Sequence, residues 1–171
     1  PASRDLGERE ESELGRPAGR RRAAVPDYGR GVALQAAVAI EVQVDAQLEE
    51  PPDLVAVPAG VGSLAEAVVR HYRRPDAAHP SVLSVEPDTA ACVLASLTAD
   101  RPVTVSTAAT VMAGLNCGTI SSSAWPVLRA GCDAAVAVSD DEALRAVDGL
   151  GRLGVSSGPS GAASLAGLRA A

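Results

Sequence analysis

A chain of 171 residues, 47% of them hydrophobic, is long enough for one domain with a sizeable core. With 2% aromatics and no Phe, that core must be filled by Ala, Val and Leu, whose small side chains suit tight packing of helix on sheet. A net charge of −6, from 15 basic and 21 acidic residues, argues against nucleic acid as a partner. No apolar run is long enough to cross a bilayer and no charged-then-apolar leader is present, so a membrane is not an expected partner and a cytoplasmic chain is expected.

Residues 1–30 mix both signs of charge with Pro and Gly and read as a solvated, disordered arm, with the domain proper over 31–171. The run Gly31–Glu50 predicts a helix, although EVQVDAQL within it also fits a strand. The pattern then becomes regular. LVAVP (Leu54–Pro58) predicts a buried strand, AGVGS a turn, and SLAEAVVRHYRR a helix with Leu64, Val68 and Tyr72 on one side. SVLSVEP (Ser81–Pro87) predicts a second strand and DTAACVLASLTA a second helix. VTVS (Val103–Ser106) predicts a short strand, SAWPVLRAG a brief helix, and DAAVAVS (Asp133–Ser139) another strand. DDEALRAVDGLGRLG is a helical pattern, SSGPSG a turn-rich loop, and AASLAGLRAA the start of a last helix. Continuously apolar strands alternating with helices indicate a three-layer α/β fold, a mostly parallel sheet with helices on both faces.

Ligands of such sheets sit beyond the carboxyl ends of the strands. The clearest loop there is VPAGVGSLAEAVV, a strand running through Gly60 and Gly62 into a helix that begins at Ser63 or Leu64. Close-approaching glycines and a helix N-terminus favour an anion such as phosphate. The same residues also fit a self-contained cap, since Ser63 and Glu66 form an S-x-x-E capping box that would occupy the amides. Glu86 sits at a strand end, where its carboxylate can face a ligand or serve as a rim salt bridge or cap. Ser139 to Glu142 repeats the capping-box pattern and reads as structural. Cys92, Cys117 and Cys132 are too few and too scattered for a disulfide framework or a zinc site, and Cys117 has no neighbouring His or Lys to activate it. His71 and His79 read as surface residues. All 15 basic residues are Arg, so Schiff-base chemistry through a Lys amine is closed to this sequence acting alone.

Taken in order, VPAGVGSLAEAVVRHYR, SVLSVEPDTAACVLAS, ATVMAGLNCGTISSSAWPVLRAGCDAAVAVSDDEAL and SSGPSGAASLAGLRAA resemble diaminopropionate ammonia-lyase, a fold type II (tryptophan-synthase-beta-like) pyridoxal-phosphate enzyme. The resemblance runs from about Val44 to Ala171, and MAGLNCG with the later SGPSGA sets it apart from the serine and threonine dehydratases. It implies α,β-elimination of 2,3-diaminopropionate to pyruvate and ammonia, with pyridoxal 5'-phosphate as cofactor, an amino acid as substrate and a homodimer as the full-length assembly. It implies that Gly60, Val61, Gly62, Ser63 and Leu64 hold the cofactor phosphate, with Glu66 turned away and its cap lost. Ala113 and Gly114 match the stretch beside the cofactor ring, and Ser157 to Gly161 would border the active site. Cys92 stands where some relatives have a metal-binding Asp six residues after the Glu of an EP pair, so no metal is expected.

The family's Schiff-base Lys and acid/base Asp have no counterpart in residues 1–50, so no catalytic residue is assigned. The group's polar partner to the pyridine nitrogen would lie past Ala171, and the chain opens on Pro1 rather than Met. It therefore reads as a fragment of a lyase. The alternatives are an inactive remnant that keeps a phosphate or cofactor pocket, and a fragment of a serine/threonine dehydratase-like enzyme.

Overall fold

The computed structural model describes residues 45–171. Three strands, β1 (Leu54–Pro58), β2 (Ser81–Pro87) and β3 (Ala134–Val138), form one parallel sheet in the order β1-β2-β3. Leu54 pairs with Ser81 and Pro58 with Val85 on one side of β2, and Leu83 with Ala134 and Pro87 with Val138 on the other. As the central strand, β2 is buried from Val82 to Pro87, as expected of a parallel strand covered on both faces.

Among the described residues five α-helices complete the layers: α1 (Ser63–Tyr72), α2 (Cys92–Ala99), α3 (Ala124–Gly131), α4 (Asp140–Arg152) and α5 (Pro159–Ala170). Val68, Val69 and Tyr72 of α1 pack with Val93 of α2 and Trp125 and Leu128 of α3 against Val57 and Val82. On the opposite face Ala143 and Ala146 of α4 and Ala162, Ala163 and Ala166 of α5 pack against Leu83, Val85 and Val138. The alanines let α5 lie close to the sheet. A Cβ on Gly167 would stand 2.4 Å from Val85 Cγ2, so this position takes no side chain without a shift.

Several expectations change. Val103–Ser106 joins no ladder; Val105 donates its N–H to the Gly118 carbonyl, 2.8 Å, an isolated contact within the loop. The helix expected from Asp88 is split into a 3-10 turn, Asp88–Ala90, and α2. SSGPSG is only partly loop, because Pro159 opens α5 at a position where its missing N–H costs nothing. The helix expected over Gly31–Glu50 does not extend past Asp45: residues 46–50 hold a turn, with Leu48 N–H on the Asp45 carbonyl at 3.1 Å. The rest of that run, and the arm over 1–30, lie outside the described residues. His71 is buried, 3% exposed, with Nε2 on the Asp45 carboxylate, which also accepts the Tyr72 hydroxyl at 2.6 Å. A helical spacing cannot show a partner 26 residues away.

Candidate functional site

The loop between β1 and α1 is fixed from both sides. Ala59 N–H donates to the Val85 carbonyl at 2.8 Å, and Ser121 N–H to the Val61 carbonyl at 2.8 Å. Gly62 then turns the chain into α1 at φ 93°, a region that an L side chain enters only with strain. No side chain caps α1. The first helical bond is that of Glu66 N–H to the Gly62 carbonyl, 2.7 Å, so the amides of Ser63, Leu64 and Ala65 are the orphans with which a helix begins.

The capping box allowed by S-x-x-E is not formed. Glu66 is 3% exposed and accepts Arg70 Nε at 3.0 Å and Nη2 at 2.9 Å, one turn along α1. An i,i+4 ion pair draws the carboxylate away from the loop, and the amides stay open. The Ser139–Glu142 box does form: Ser139 N–H donates to Glu142 at 2.7 Å and Glu142 N–H to Ser139 Oγ at 3.4 Å.

In front of these amides lies a cleft of about 350 Å³. One wall is Gly60, Val61, Gly62, Ser63 and Leu64; the other is Gly114, Leu115 and Cys117 together with Ser160 and Gly161 from the first turn of α5. Its narrow end is set at Gly60, where a Cβ would meet Cys117 Sγ and the Gly114 carbonyl oxygen, both at 3.2 Å. Among the described residues no charged side chain lines the cleft. Its electrostatics come from backbone N–H groups and from two helix N-termini, those of α1 and α5, both without side-chain caps.

The structure thus brings six of the seven sequence-predicted site residues, Gly60 to Leu64 and Gly114, around one cleft. Ala113 opens the same 3-10 turn (Ala113–Leu115) but lies outside the lining. The family resemblance already places Ser160 in the Ser157–Gly161 stretch bordering the site, whereas sequence reasoning misses Asp140 and the bonds that both residues make. Ser160 Oγ accepts Gly114 N–H at 3.2 Å, while Asp140 accepts Thr110 Oγ at 2.5 Å and Val111 N–H at 3.1 Å. These bonds join residues 46, 30 and 29 positions apart, and no local motif signals them.

Glu86 is fully buried and is not among the residues lining the cleft. Its two oxygens accept Val93 and Leu94 N–H, each at 2.7 Å, and so cap α2. Burial pushes its carboxyl up to about 7, against the pull of those amides. Burial, and then the Glu86 carboxylate, push the Cys92 thiol far above its ordinary value, and burial raises Cys132 to about 11. These are inert thiols. Cys117 is half-buried at the cleft. Among the described residues no three His, Cys, Asp or Glu side chains gather to hold a metal, and no helix is long and apolar enough to cross a membrane.

The chain is 32% identical over 142 residues to the biosynthetic L-threonine dehydratase of Mycobacterium tuberculosis, covering 81% of this chain and 32% of that protein. It spans about a third of the length of the curated relatives it matches. Among solved structures, a threonine deaminase from T.th. superposes with a TM-score of 0.70 at 25% identity, over 81% of this chain and 49% of that one. Diaminopropionate ammonia lyase from Escherichia coli superposes with a TM-score of 0.65 at 28% identity, over 78% and 34%. The family profile of pyridoxal-phosphate dependent enzymes matches residues 4–171, and the chain belongs to that family, whose cofactor is pyridoxal phosphate.

Proposed function

We propose that this chain supplies the phosphate-anchoring side of the active site of a pyridoxal-phosphate-dependent ammonia-lyase acting on a small amino acid with a leaving group on its β carbon. The observation that carries the reading is the open start of α1, where Glu66 is paired with Arg70 and Ser63 and Leu64 line the cleft with no side-chain cap on the helix. The residues present fit a phosphate ester: a glycine at the narrow end, a glycine at φ 93°, and a wall without a carboxylate.

When bound, the cofactor supplies the electron sink for loss of the α proton and the β substituent. The chain's own residues do the rest of what can be assigned to them. The α1 amides would hold and orient the phosphate, and Gly114 with Ser160 forms the facing wall. Gly60 to Leu64 bind the phosphate; Gly114, and Ala113 through the turn it opens, border the ring. None of the 171 residues is Lys, so the covalent link to the cofactor is not made by this sequence.

As substrate, 2,3-diaminopropionate follows from the MAGLNCG and SGPSGA segments and is supported by the Escherichia coli lyase superposition. A threonine or serine dehydratase is the second reading, favoured by the 32% identity to the mycobacterial enzyme. A cytoplasmic homodimer belongs to the same proposal. Two measurements test it. Pyridoxal phosphate titrated into the chain is expected to bind saturably and to be displaced by inorganic phosphate; no saturable binding overturns the reading. Ammonia release by the full-length protein from 2,3-diaminopropionate, threonine and serine then separates the two substrates.

A further inference from the structure

The wall that faces the α1 amides has only local backbone bonds of its own, among them Leu115 N–H to the Met112 carbonyl and Cys117 N–H to the Leu115 carbonyl, each at 2.8 Å. Residues 103–112 belong to no helix and no strand ladder, and the only regular element between α2 and α3 is the single turn Ala113–Leu115. Side chains from two other helices hold this stretch at both ends. At one end Asp140, in the first turn of α4, accepts Thr110 Oγ and Val111 N–H, while Thr110 Oγ in turn accepts Met112 N–H at 3.1 Å. At the other end Ser160, in the first turn of α5, accepts Gly114 N–H at 3.2 Å. Contact here is direct, since a Cβ on Gly114 would stand 3.2 Å from Ser160 Oγ.

A ligand whose phosphate sits on the α1 amides meets this wall, because Gly114, Leu115 and Cys117 line the same cleft. The position of Gly114 therefore decides how closely a flat body can lie, and that position is set from α4 and α5. We propose that Ser160 and the Asp140–Thr110 pair are positioning residues that fix the Gly114 wall against the non-phosphate body of the cofactor, leaving phosphate capture to α1. This rests on the reading of the cleft as a phosphate-cofactor site.

The two functions separate in binding. Pyridoxine 5'-phosphate keeps the ring and the phosphate but lacks the aldehyde, so it reports non-covalent binding alone. Titrated calorimetrically into the full chain beside inorganic phosphate, it compares whole-ligand binding with anchor binding alone. Ser160→Ala and Thr110→Val are each expected to weaken pyridoxine phosphate by roughly three- to tenfold, the worth of one hydrogen bond. Inorganic phosphate should stay within about twofold, and Ser160→Thr, which keeps the hydroxyl, should restore ring binding.

Unchanged pyridoxine phosphate affinity in both variants, with the wild-type chain binding both probes, overturns the positioning role and leaves the phosphate site standing. Equal weakening of the two probes, with a lowered melting temperature, overturns it in favour of a purely structural bond. A wild-type chain that binds neither probe removes the phosphate site and this role with it.

Discussion

Two residues carry the local physics of the cleft, Gly62 and Glu66. At φ 93° a side chain at position 62 is strained, and its Cβ would stand 3.0 Å from both Ala124 Cβ and Leu128 Cδ1. Gly62→Ala is therefore expected to cost about 1–3 kcal/mol in urea unfolding, and to weaken phosphate binding as α1 shifts. Glu86 gives the molecule a pH signature. Its carboxyl is raised by burial to about 7, above the ordinary 4.5, so between these values the folded chain holds one more proton than the unfolded chain. Stability therefore falls as pH rises through that window, by on the order of 3 kcal/mol, and is free of this penalty below it. Glu86→Gln should flatten the slope of unfolding free energy against pH over that range; an unchanged slope would show that another group carries it. Glu142 acts in the opposite sense. The Ser139 backbone N–H, and then its hydroxyl, hold the Glu142 carboxyl below its usual range, so the stability it lends is present at neutral pH and lost as acid protonates it.

At the scale of elements, the strands are the most legible part. LVAVP and SVLSVEP are short apolar runs closed by Pro, and β1 and β2 have those bounds. VTVS carries the same β-branched residues, but among the described residues no strand pairs with it, and strand propensity without a neighbour makes no ladder. The start of α5 is harder to place because Gly-Pro reads as a turn, whereas Pro at the first helical position is a start signal once Gly158 serves as the cap. The loop residues of the cleft are legible through the Gly-x-Gly turn and the family resemblance. The side chains that hold its far wall are not, since Asp140 and Ser160 reach across the fold to Thr110 and Gly114. Nor does spacing say whether a Glu in a first turn folds back to cap or forward to an Arg; both partners of Glu66 are within its reach in sequence. The tightest helix-to-sheet contact is at Gly167. Gly167→Ala must push α5 off Val85, or force that side chain to move, and is expected to destabilise by about 1–3 kcal/mol, read from the urea midpoint.

For the whole molecule, the sheet divides the work. On one face the larger side chains, with Trp125 fully buried among them, make a core that α1, α2 and α3 share. On the other, Ala-rich α4 and α5 lie close against the strands and deliver Ser160 to the cleft and Asp140 to Thr110. A ligand in the cleft touches the β1–α1 loop, the Ala113–Leu115 turn and α5 together, so binding is linked to the packing of both faces. At a hundredfold excess over its dissociation constant, pyridoxal phosphate should stabilise the chain by about 2.7 kcal/mol. An upward shift in melting temperature that grows with ligand concentration is the expected outcome, and its absence would mean that the ligand does not prefer the folded state.

The three segments that wall the cleft are far apart in the chain, near residues 60, 114 and 160. A ribosome delivering this sequence would expose the β1–α1 turn roughly fifty residues before Gly114 and roughly a hundred before Ser160. Until Pro159 and the helix behind it have emerged and docked, a phosphate compound has something to hold and nothing to lie against. Retention of the ligand is thus expected only once α5 has docked, and a nascent chain that holds it would report that this helix has reached its place.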